Sequence, residues 1–192
     1  RQVSSVLYVT KDGNDNNTGQ KLGDAKATIK AAVSIASTGD VIRVSAGTYV
    51  EDNPIVLPEQ VSIVGDSLRE VSITPQNAGS DLFHVAPGVY ISEVSFVGTM
   101  NSGSAIVAFN PDIVYYYTQS PYIRNCTNFV TNSTGMKIDG SKNIGPFKSM
   151  VTDSYTQYNS NGIGCSITNE GYAQIVSLSL IHISEPTRHG LI

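Results

Sequence analysis

Five consecutive segments near the start of the chain decide the fold: LYV at residues 7–9, DGNDNNTG at 12–19, ATIKAAV at 27–33, GDVIRV at 39–44 and AGTY at 46–49. In this order they indicate a strand, a polar turn, a short helix, a tight turn into a second strand, and a corner of small residues ending in an aromatic residue. The sequence after them carries short strand patterns and no second helical pattern. A helix followed only by strands suggests a plug at one end of a stack of strands.

Short apolar runs recur at intervals of roughly 25 to 30 residues and form two series. Within each run apolar and small polar residues alternate, which is typical of a strand with one buried face. A period above about twenty residues with two strands per unit predicts a solenoid whose coils stack. The first series is 61–64, 91–96, 122–126, 150–153 and 174–176, and the second is 71–73, 105–109, 136–138 and 162–167.

A β-sandwich of short strands is the alternative fold, and it predicts tight hairpins built on Asn-Gly or Asp-Gly. Such dipeptides occur at 12–13, 139–140 and 161–162, but only the last lies near two predicted strands. The predicted helix favours the solenoid, because Thr28 can cap its N-terminus and Gly39 offers a left-handed stop. Such a helix would cover the first coil, whose strand edges would otherwise be exposed.

The segment from residue 7 to residue 49 resembles the N-terminal cap of right-handed parallel β-helix proteins of the pectate-lyase-like superfamily. The resemblance implies an all-β fold, a right-handed parallel β-helix (solenoid) with a short N-terminal capping helix. We therefore expect the cap and first coil at residues 1–50 and the β-helix coils at residues 51–177.

The C-terminal residues, 178–192, carry a different resemblance. Residues 178–188, LSLIHISEPTR, resemble a translated sequencing adapter, so we expect residues 178–192 to be an artefact. The natural chain would then continue differently beyond about Ser177. On this interpretation His182 and His189 have no functional role, and His84 is the genuine histidine.

The composition excludes several classes of partner. The 192 residues carry a formal net charge of −4, which gives no basic footprint for nucleic acid. No run of about 18 apolar residues occurs, so we expect no membrane insertion. Cys126 and Cys165 lack the CxxC spacing and the nearby histidine of a zinc site, and we interpret them as buried thiols. A disulfide between them is the alternative.

The polar turn near the N-terminus has the alternation of a calcium loop. Asp12, Asn14 and Asn16 alternate as calcium ligands do, but Asn17 stands where the EF-hand turn needs glycine, and Gly23 where it needs glutamate. We therefore predict a turn held by side-chain hydrogen bonds. No metal site and no cofactor is predicted for the chain.

Charged residues of the first strand series are the candidate catalytic groups. Stacking would bring Glu93, Arg124 and Asp153 close on one ladder, at a coil spacing of about 4.7–4.9 Å. A glycoside hydrolase needs two carboxyl groups about 5–9.5 Å apart, but solenoids also carry outward charges for solubility. His84 alternates with apolar neighbours and lacks a visible partner, so we predict a strand histidine that lies on the solvent face or is hydrogen-bonded in the wall. We assign no catalytic residue.

Tyrosines are the candidate ligand-binding residues. Tyr115, Tyr116 and Tyr117 form an unusual triple, and consecutive residues of an extended segment cannot all point inward. Tyrosine is enriched at recognition surfaces, and its ring offers an apolar face with a polar tip. A loop whose tyrosines cover an apolar flank is the alternative. Together with the triple, we predict that Tyr155, Tyr158 and Arg124 bind the ligand.

Four later segments, 120–127, 135–140, 149–159 and 171–177, resemble virion structural proteins of tailed phages of marine cyanobacteria. The resemblance implies a virion surface or tail-fibre protein whose partners are other virion proteins and a host-surface polysaccharide. Fibres of this architecture are often trimeric, so a homotrimer is also implied. The competing functions are a depolymerase (lyase or hydrolase) of host polysaccharide and a passive structural spacer.

Overall fold

The structure is a computed structural model that describes residues 4–113, 119–141 and 149–181. These residues form one helix, α1 (Ile29–Ile35), a short 3₁₀ turn (Leu22–Asp24) and fourteen strands. The strands are β1 Val6–Val9, β2 Val41–Val44, β3 Gly47–Glu51, β4 Ile55–Val56, β5 Ser62–Gly65, β6 Val71–Pro75, β7 Phe83–Val85, β8 Tyr90–Phe96, β9 Ala105–Phe109, β10 Tyr122–Asn128, β11 Thr134–Asp139, β12 Ser149–Tyr158, β13 Ile163–Thr168 and β14 Tyr172–Ile181.

Every strand pair in the described residues is parallel, and successive coils supply successive strands. The larger sheet has the order β1-β2-β5-β8-β10-β12-β14, with β3 beside β6 and β6 also beside β8. The smaller sheet has the order β13-β11-β9-β7-β4. A sandwich of hairpins would pair its strands antiparallel, so this pairing rejects that alternative. The prediction of an all-β, parallel, solenoid-like fold is confirmed.

A column of aliphatic side chains runs through the larger sheet and holds the coils in register. Each member lies directly opposite the next across a parallel strand pair, and the strand spacing is about 4.8 Å. Fully burying one such side chain contributes about 1.5–3 kcal/mol. The buried members in order are Leu7, Ile42, Ile63, Ile91 and Ile123, and Thr152 and Ile175 continue the register.

Each long strand of the larger sheet contributes residues to two faces of the solenoid. Residues 90–92 of β8 pair with β5, whereas Ser95 and Phe96 pair with β6. Glu93, between these two halves, has a left-handed φ of 59°. The residues that occupy the same register in β10, β12 and β14 also have positive φ: Asn125 at 47°, Ser154 at 55° and Ser177 at 51°. We call this set the corner column.

The second predicted strand series is wrong in one part. Residues 71–73 lie in β6 of the larger sheet, whereas 105–109, 136–138 and 162–167 lie in the smaller sheet. The early coils therefore have three separate strands, and in the later coils two of these merge at the corner column. β4 is only two residues long, so it left no period in the sequence.

Helix α1 packs its buried residues, Ile29, Ala32 and Val33, into the hydrophobic core. Thr28 is the N-cap as predicted, and its Oγ1 accepts from the N–H of Ala31 at 3.1 Å. The helix ends at Ile35 before an extended Ala36. Gly39, at φ +90°, lies three residues beyond that cap, so it does not stop the helix.

The buried carboxylate of Glu51 completes the N-terminus of α1. Its Oε1 accepts from the N–H of Ile29 at 2.7 Å, and its Oε2 accepts from the N–H of Lys30 at 3.1 Å. Asp15 Oδ1 accepts from the N–H of Thr28, so the first N–H groups of the helix all have acceptors. Burial raises the pKa of Glu51, and the two backbone N–H groups act against that rise.

The strand pattern continues through the boundary predicted at residue 178. In β14, residues Leu178 to Ile181 pair in register with Tyr155 to Tyr158 of β12. Residues 182–192 lie outside the described residues. That residues 178–192 derive from an adapter stays a prediction.

Glu51→Ala tests the role of the carboxylate at α1. The substitution leaves the N–H groups of Ile29 and Lys30 without acceptors in a buried site, so we expect the free energy of unfolding to fall by about 2 kcal/mol or more. Urea denaturation measures this loss. The matched control is Asp52→Ala, whose solvent-exposed pair with Lys30 we expect to contribute little to stability; equal losses would contradict the assignment.

Thr152→Val tests the one polar position in the aliphatic column. Thr152 is fully buried, and its Oγ1 has no hydrogen-bond partner among the described residues. Replacing an unpaired buried hydroxyl with a methyl group should raise the free energy of unfolding by about 1 kcal/mol. Thr127→Val, on a half-buried position of the adjacent strand, is the control and should change stability little. A destabilised Thr152→Val protein would show that the hydroxyl is paired.

Candidate functional site

Two tyrosines and an ion pair form a surface on the outer side of the larger sheet, and we call it the tyrosine–arginine surface: Tyr90, Tyr122, Arg124 and Asp153. Tyr90 and Tyr122 are register partners, and their rings stack with centroids 5.7 Å apart and planes 16° apart. Arg124 and Asp153 are also register partners, with Nε and Oδ2 3.5 Å apart. The four side chains therefore occupy adjacent rungs of one ladder.

Arg124 is anchored at the base of its guanidinium but remains open to solvent. Its side chain is 52% exposed. A hydrogen bond with Tyr90 is the main cause that raises the pKa of Arg124, and the nearby Asp153 carboxylate adds to it. A guanidinium whose ion pair involves one carboxylate keeps further N–H donors available for a ligand.

The structure separates the predicted ligand-binding residues. Arg124 lies on the tyrosine–arginine surface, but Tyr155 is only 1% exposed and belongs to the core, so its predicted contact with a ligand is wrong. Its hydroxyl donates to Gln157 Oε1 at 2.9 Å. Tyr158 is 41% exposed and lies beyond the corner column, edge-to-face with Phe129. The predicted residues Tyr115, Tyr116 and Tyr117 lie outside the described residues.

The predicted alignment of Glu93, Arg124 and Asp153 holds for two of the three. Arg124 pairs with Asp153, whereas Glu93 belongs to the corner column, one position further along the strand. The Oε1 of Glu93 accepts from Asn125 Nδ2 at 2.7 Å. Tyr90 and Tyr122 are missing from the predicted ligand-binding residues, although the repeated pair Tyr90-Ile91 and Tyr122-Ile123 was a usable signal.

A second group of polar side chains lies on the smaller sheet, and we call it the Asp81 cluster: Asp81, His84 and Lys137. Asp81 Oδ2 lies 3.1 Å from His84 Nε2, and Asp81 Oδ1 accepts from Lys137 Nζ at 3.0 Å and from the N–H of Ala105 at 2.8 Å. The cluster opens into a depression of about 560 Å³. His84 is therefore a partnered wall residue, as predicted, but its partner Asp81 was not foreseen.

The electrostatics of the cluster favour an ionised Asp81. Burial alone raises the pKa of this carboxyl, but hydrogen bonds from His84, the N–H of Ala105 and Lys137 outweigh it and lower the pKa to about 2. Asn53 fixes the backbone of this segment, because its Nδ2 donates to the carbonyl oxygens of Ser80 and Asp81 at 3.0 and 3.2 Å.

The remaining predicted positions have structural roles. In the turn predicted from 12 to 19, the N–H of Asn16 donates to Asn14 Oδ1 at 2.9 Å, the side-chain turn that the sequence indicated. Cys126 is buried, Cys165 packs against the core, and both are free thiols. Burial raises the pKa of Cys126 to about 12.

The described residues hold no group of three acidic, histidine or cysteine side chains arranged for a metal. None of the helices in the described part of the chain is long and apolar enough to cross a membrane.

The family to which the sequence matches agrees with the parallel solenoid. A family model described as a protein of unknown function (DUF1565) matches residues 11–182, and this family is typical of pectate-lyase-like β-helix proteins. A solved structure of a rhamnogalacturonan lyase aligns with 93% of this chain, at 10% sequence identity and a TM-score of 0.48. The chain spans 66% of the length of that protein. No curated protein matches the sequence.

Asp81→Asn tests the electrostatics of the cluster. Because the folded state lowers the pKa of Asp81 to about 2, its contribution to stability is present above the unfolded pKa and is lost as the pH falls towards 2. We expect the free energy of unfolding to fall by about 2 kcal/mol more in the parent protein than in Asp81→Asn between pH 5 and 2. Urea denaturation at each pH measures this difference.

The control for this test is Asp12→Asn, at an exposed position of the N-terminal turn. It should show the same acid-side loss of stability as the parent. If Asp81→Asn also follows the parent curve down to pH 2, the three hydrogen bonds to Asp81 do not hold it ionised.

Proposed function

Because this chain belongs to the DUF1565 family, whose function is unknown, we propose from its own residues that it is a glycan-binding protein of a phage particle surface. In this proposal the tyrosine–arginine surface contacts a polysaccharide of the host envelope. The stacked rings of Tyr90 and Tyr122 beside the exposed Arg124 are the observation that carries it. Tyrosine and arginine are the residue types most enriched at recognition surfaces.

The chemistry of this surface matches what a saccharide presents. A sugar ring has an apolar face of C–H groups and a rim of hydroxyls, so it needs an aromatic surface with donors and acceptors beside it. Tyr122 supplies ring and hydroxyl, Arg124 supplies planar donors, and Asp153 supplies acceptors. All of them stand on strands, and a site built on strands loses little conformational freedom when a ligand binds.

The virion role rests on the resemblance of residues 120–177 to phage structural proteins, together with the mechanical logic of the fold. A solenoid is rigid, and it holds weak contacts at a fixed spacing. Several copies around a particle would convert these weak contacts into avidity. Copies of the chain, other virion proteins and the glycan are then its partners, and a homotrimer is one arrangement that presents the surface repeatedly.

A finer description of the fold belongs to the same proposal. We assign a right-handed winding, because connections between parallel strands of one sheet are right-handed in about 98% of cases. We also assign α1 as the cap of the first coil, because its buried face packs into the core beside β1 and β2. Covering that end protects the strand edges from pairing with another chain.

A depolymerase is less well supported by the same residues. The carboxylates considered for it are already engaged, Glu93 with Asn125 and Asp153 with Arg124. Hydrolysis of a glycosidic bond would need two carboxyl groups free to act on it. A passive spacer would need no ladder of half-buried tyrosines beside an exposed arginine.

Tyr122→Ala and Tyr158→Ala together test the proposal. Retardation of the protein in gels that contain envelope polysaccharide from cyanobacteria measures binding. We expect Tyr122→Ala to weaken retention about tenfold, because one aromatic contact contributes on the order of 1.4 kcal/mol. Tyr158→Ala removes a tyrosine outside the surface that is more exposed than the half-buried Tyr122, and it should bind as the parent does.

The other possible results of the binding experiment lead to different conclusions. If neither the parent nor the variants are retained, the spacer is correct and the proposal is wrong. If Tyr158→Ala weakens binding and Tyr122→Ala does not, the glycan contacts the other side of the corner column. Oligosaccharide fragments detected by mass spectrometry after incubation would establish the depolymerase instead.

A further inference from the structure

The depression at the Asp81 cluster lies beside a column of register partners on the smaller sheet. Val56, His84, Ala108 and Lys137 follow one another in this column. Ala108 is buried and does not line the depression, whereas His84 and Lys137, on either side of it, both do. Two nitrogen-bearing side chains therefore border the depression.

Asp81 orients these two side chains, which border the depression. It contacts Lys137 Nζ through one oxygen and His84 Nε2 through the other, while the N–H of Ala105 fixes the carboxylate from below. Three of the roughly four acceptor positions of a carboxylate are thus occupied. Asp81 therefore has little capacity to receive a ligand and acts as a positioning residue.

What the depression still offers is mainly hydrogen-bond donors. One of the three N–H groups of Lys137 points at Asp81, and the ammonium end is partly open to solvent, with 36% of the side chain exposed. Because Nε2 donates to Asp81, the other ring nitrogen of a neutral His84 is an acceptor and adds no donor. The remaining polar lining consists of short amide and hydroxyl side chains, namely Ser80, Asn101, Ser102 and Ser104. A donor-rich depression fits a ligand that is rich in acceptors.

We propose that this depression binds an oxyanion group, a carboxylate or a sulfate, with Lys137 as the charged donor that contacts it and the amide and hydroxyl side chains of the lining as further donors. The Asp81–Lys137 pair is neutral as a unit, so directional hydrogen bonds rather than net charge hold the anion. Pre-orientation by Asp81 lowers the entropy that Lys137 loses on binding. The site lies on a different sheet from the tyrosine–arginine surface, and the proposal does not depend on glycan binding there.

Nuclear magnetic resonance of the full chain provides the test. The His84 imidazole signals, assigned through His84→Gln, and the backbone amide of Ala105 are followed while sodium sulfate, sodium acetate or sodium glucuronate is added at constant ionic strength. We expect saturable shifts with a dissociation constant on the order of 1–10 mM. Glucose is the neutral control and should produce none. Tighter binding of glucuronate than of acetate would identify a saccharide-borne group, and equal binding a free oxyanion.

Matched variants locate the binding. Lys137→Met removes the ammonium and should weaken binding at least about tenfold, whereas Lys137→Arg keeps a cation and should retain it. Lys30→Met is the control, since Lys30 also pairs with an aspartate, Asp52, but on another part of the surface. Shifts that do not saturate, or an equal loss in Lys30→Met, would overturn the proposal. Because no polysaccharide is used, this result is independent of the retention experiment.

Discussion

The in-register parallel pairing of successive coils is the constraint on which the rest of the structure depends. Each residue of a coil lies about 4.8 Å from its equivalent in the next, so a side chain must suit its column and not only its own strand. The aliphatic column from Leu7 to Ile123 shows the apolar consequence. The pairs Tyr90–Tyr122 and Arg124–Asp153 show the same rule on the outer side, where stacking rings and opposite charges become neighbours.

The corner column explains why a plain strand pattern misplaces some residues. In a regular strand, residues two apart point to the same side, so Asp153 and Tyr155 should both face outward. The left-handed Ser154 between them turns the chain onto the next face, and Tyr155 points into the core with its register partner Cys126. Arg124, Asn125 and Cys126 repeat the arrangement one coil earlier. The error about Tyr155 thus has one backbone cause.

Local chemistry made much of the fold predictable. Thr28 is a residue type that caps helices, and it precedes an apolar helical face, so α1 follows from the local sequence. Apolar and polar residues alternate at the centres of the strands in both sheets. This short-range pattern predicts the strands and their stacking. The contact of Asp81 with Lys137 joins residues 56 positions apart. It depends on the lengths of two intervening coils and on an irregular segment held by Asn53, and neither leaves a periodic signal. The contact of Glu51 with the N-terminus of α1 also joins residues far apart in the sequence, and no periodic pattern predicts it.

A polar network inside the later coils adds specificity that the aliphatic column lacks. Similar aliphatic side chains could pack against each other after a shift of one coil. Asn128 Nδ2, however, donates to Gln157 Oε1 at 3.2 Å, and Asn159 Nδ2 donates to the carbonyl of Val130 at 2.8 Å. These groups are buried, so a shifted register would leave them unpaired, at about 1–3 kcal/mol each. The register that aligns Arg124 with Asp153 is therefore set in part by amides in the core.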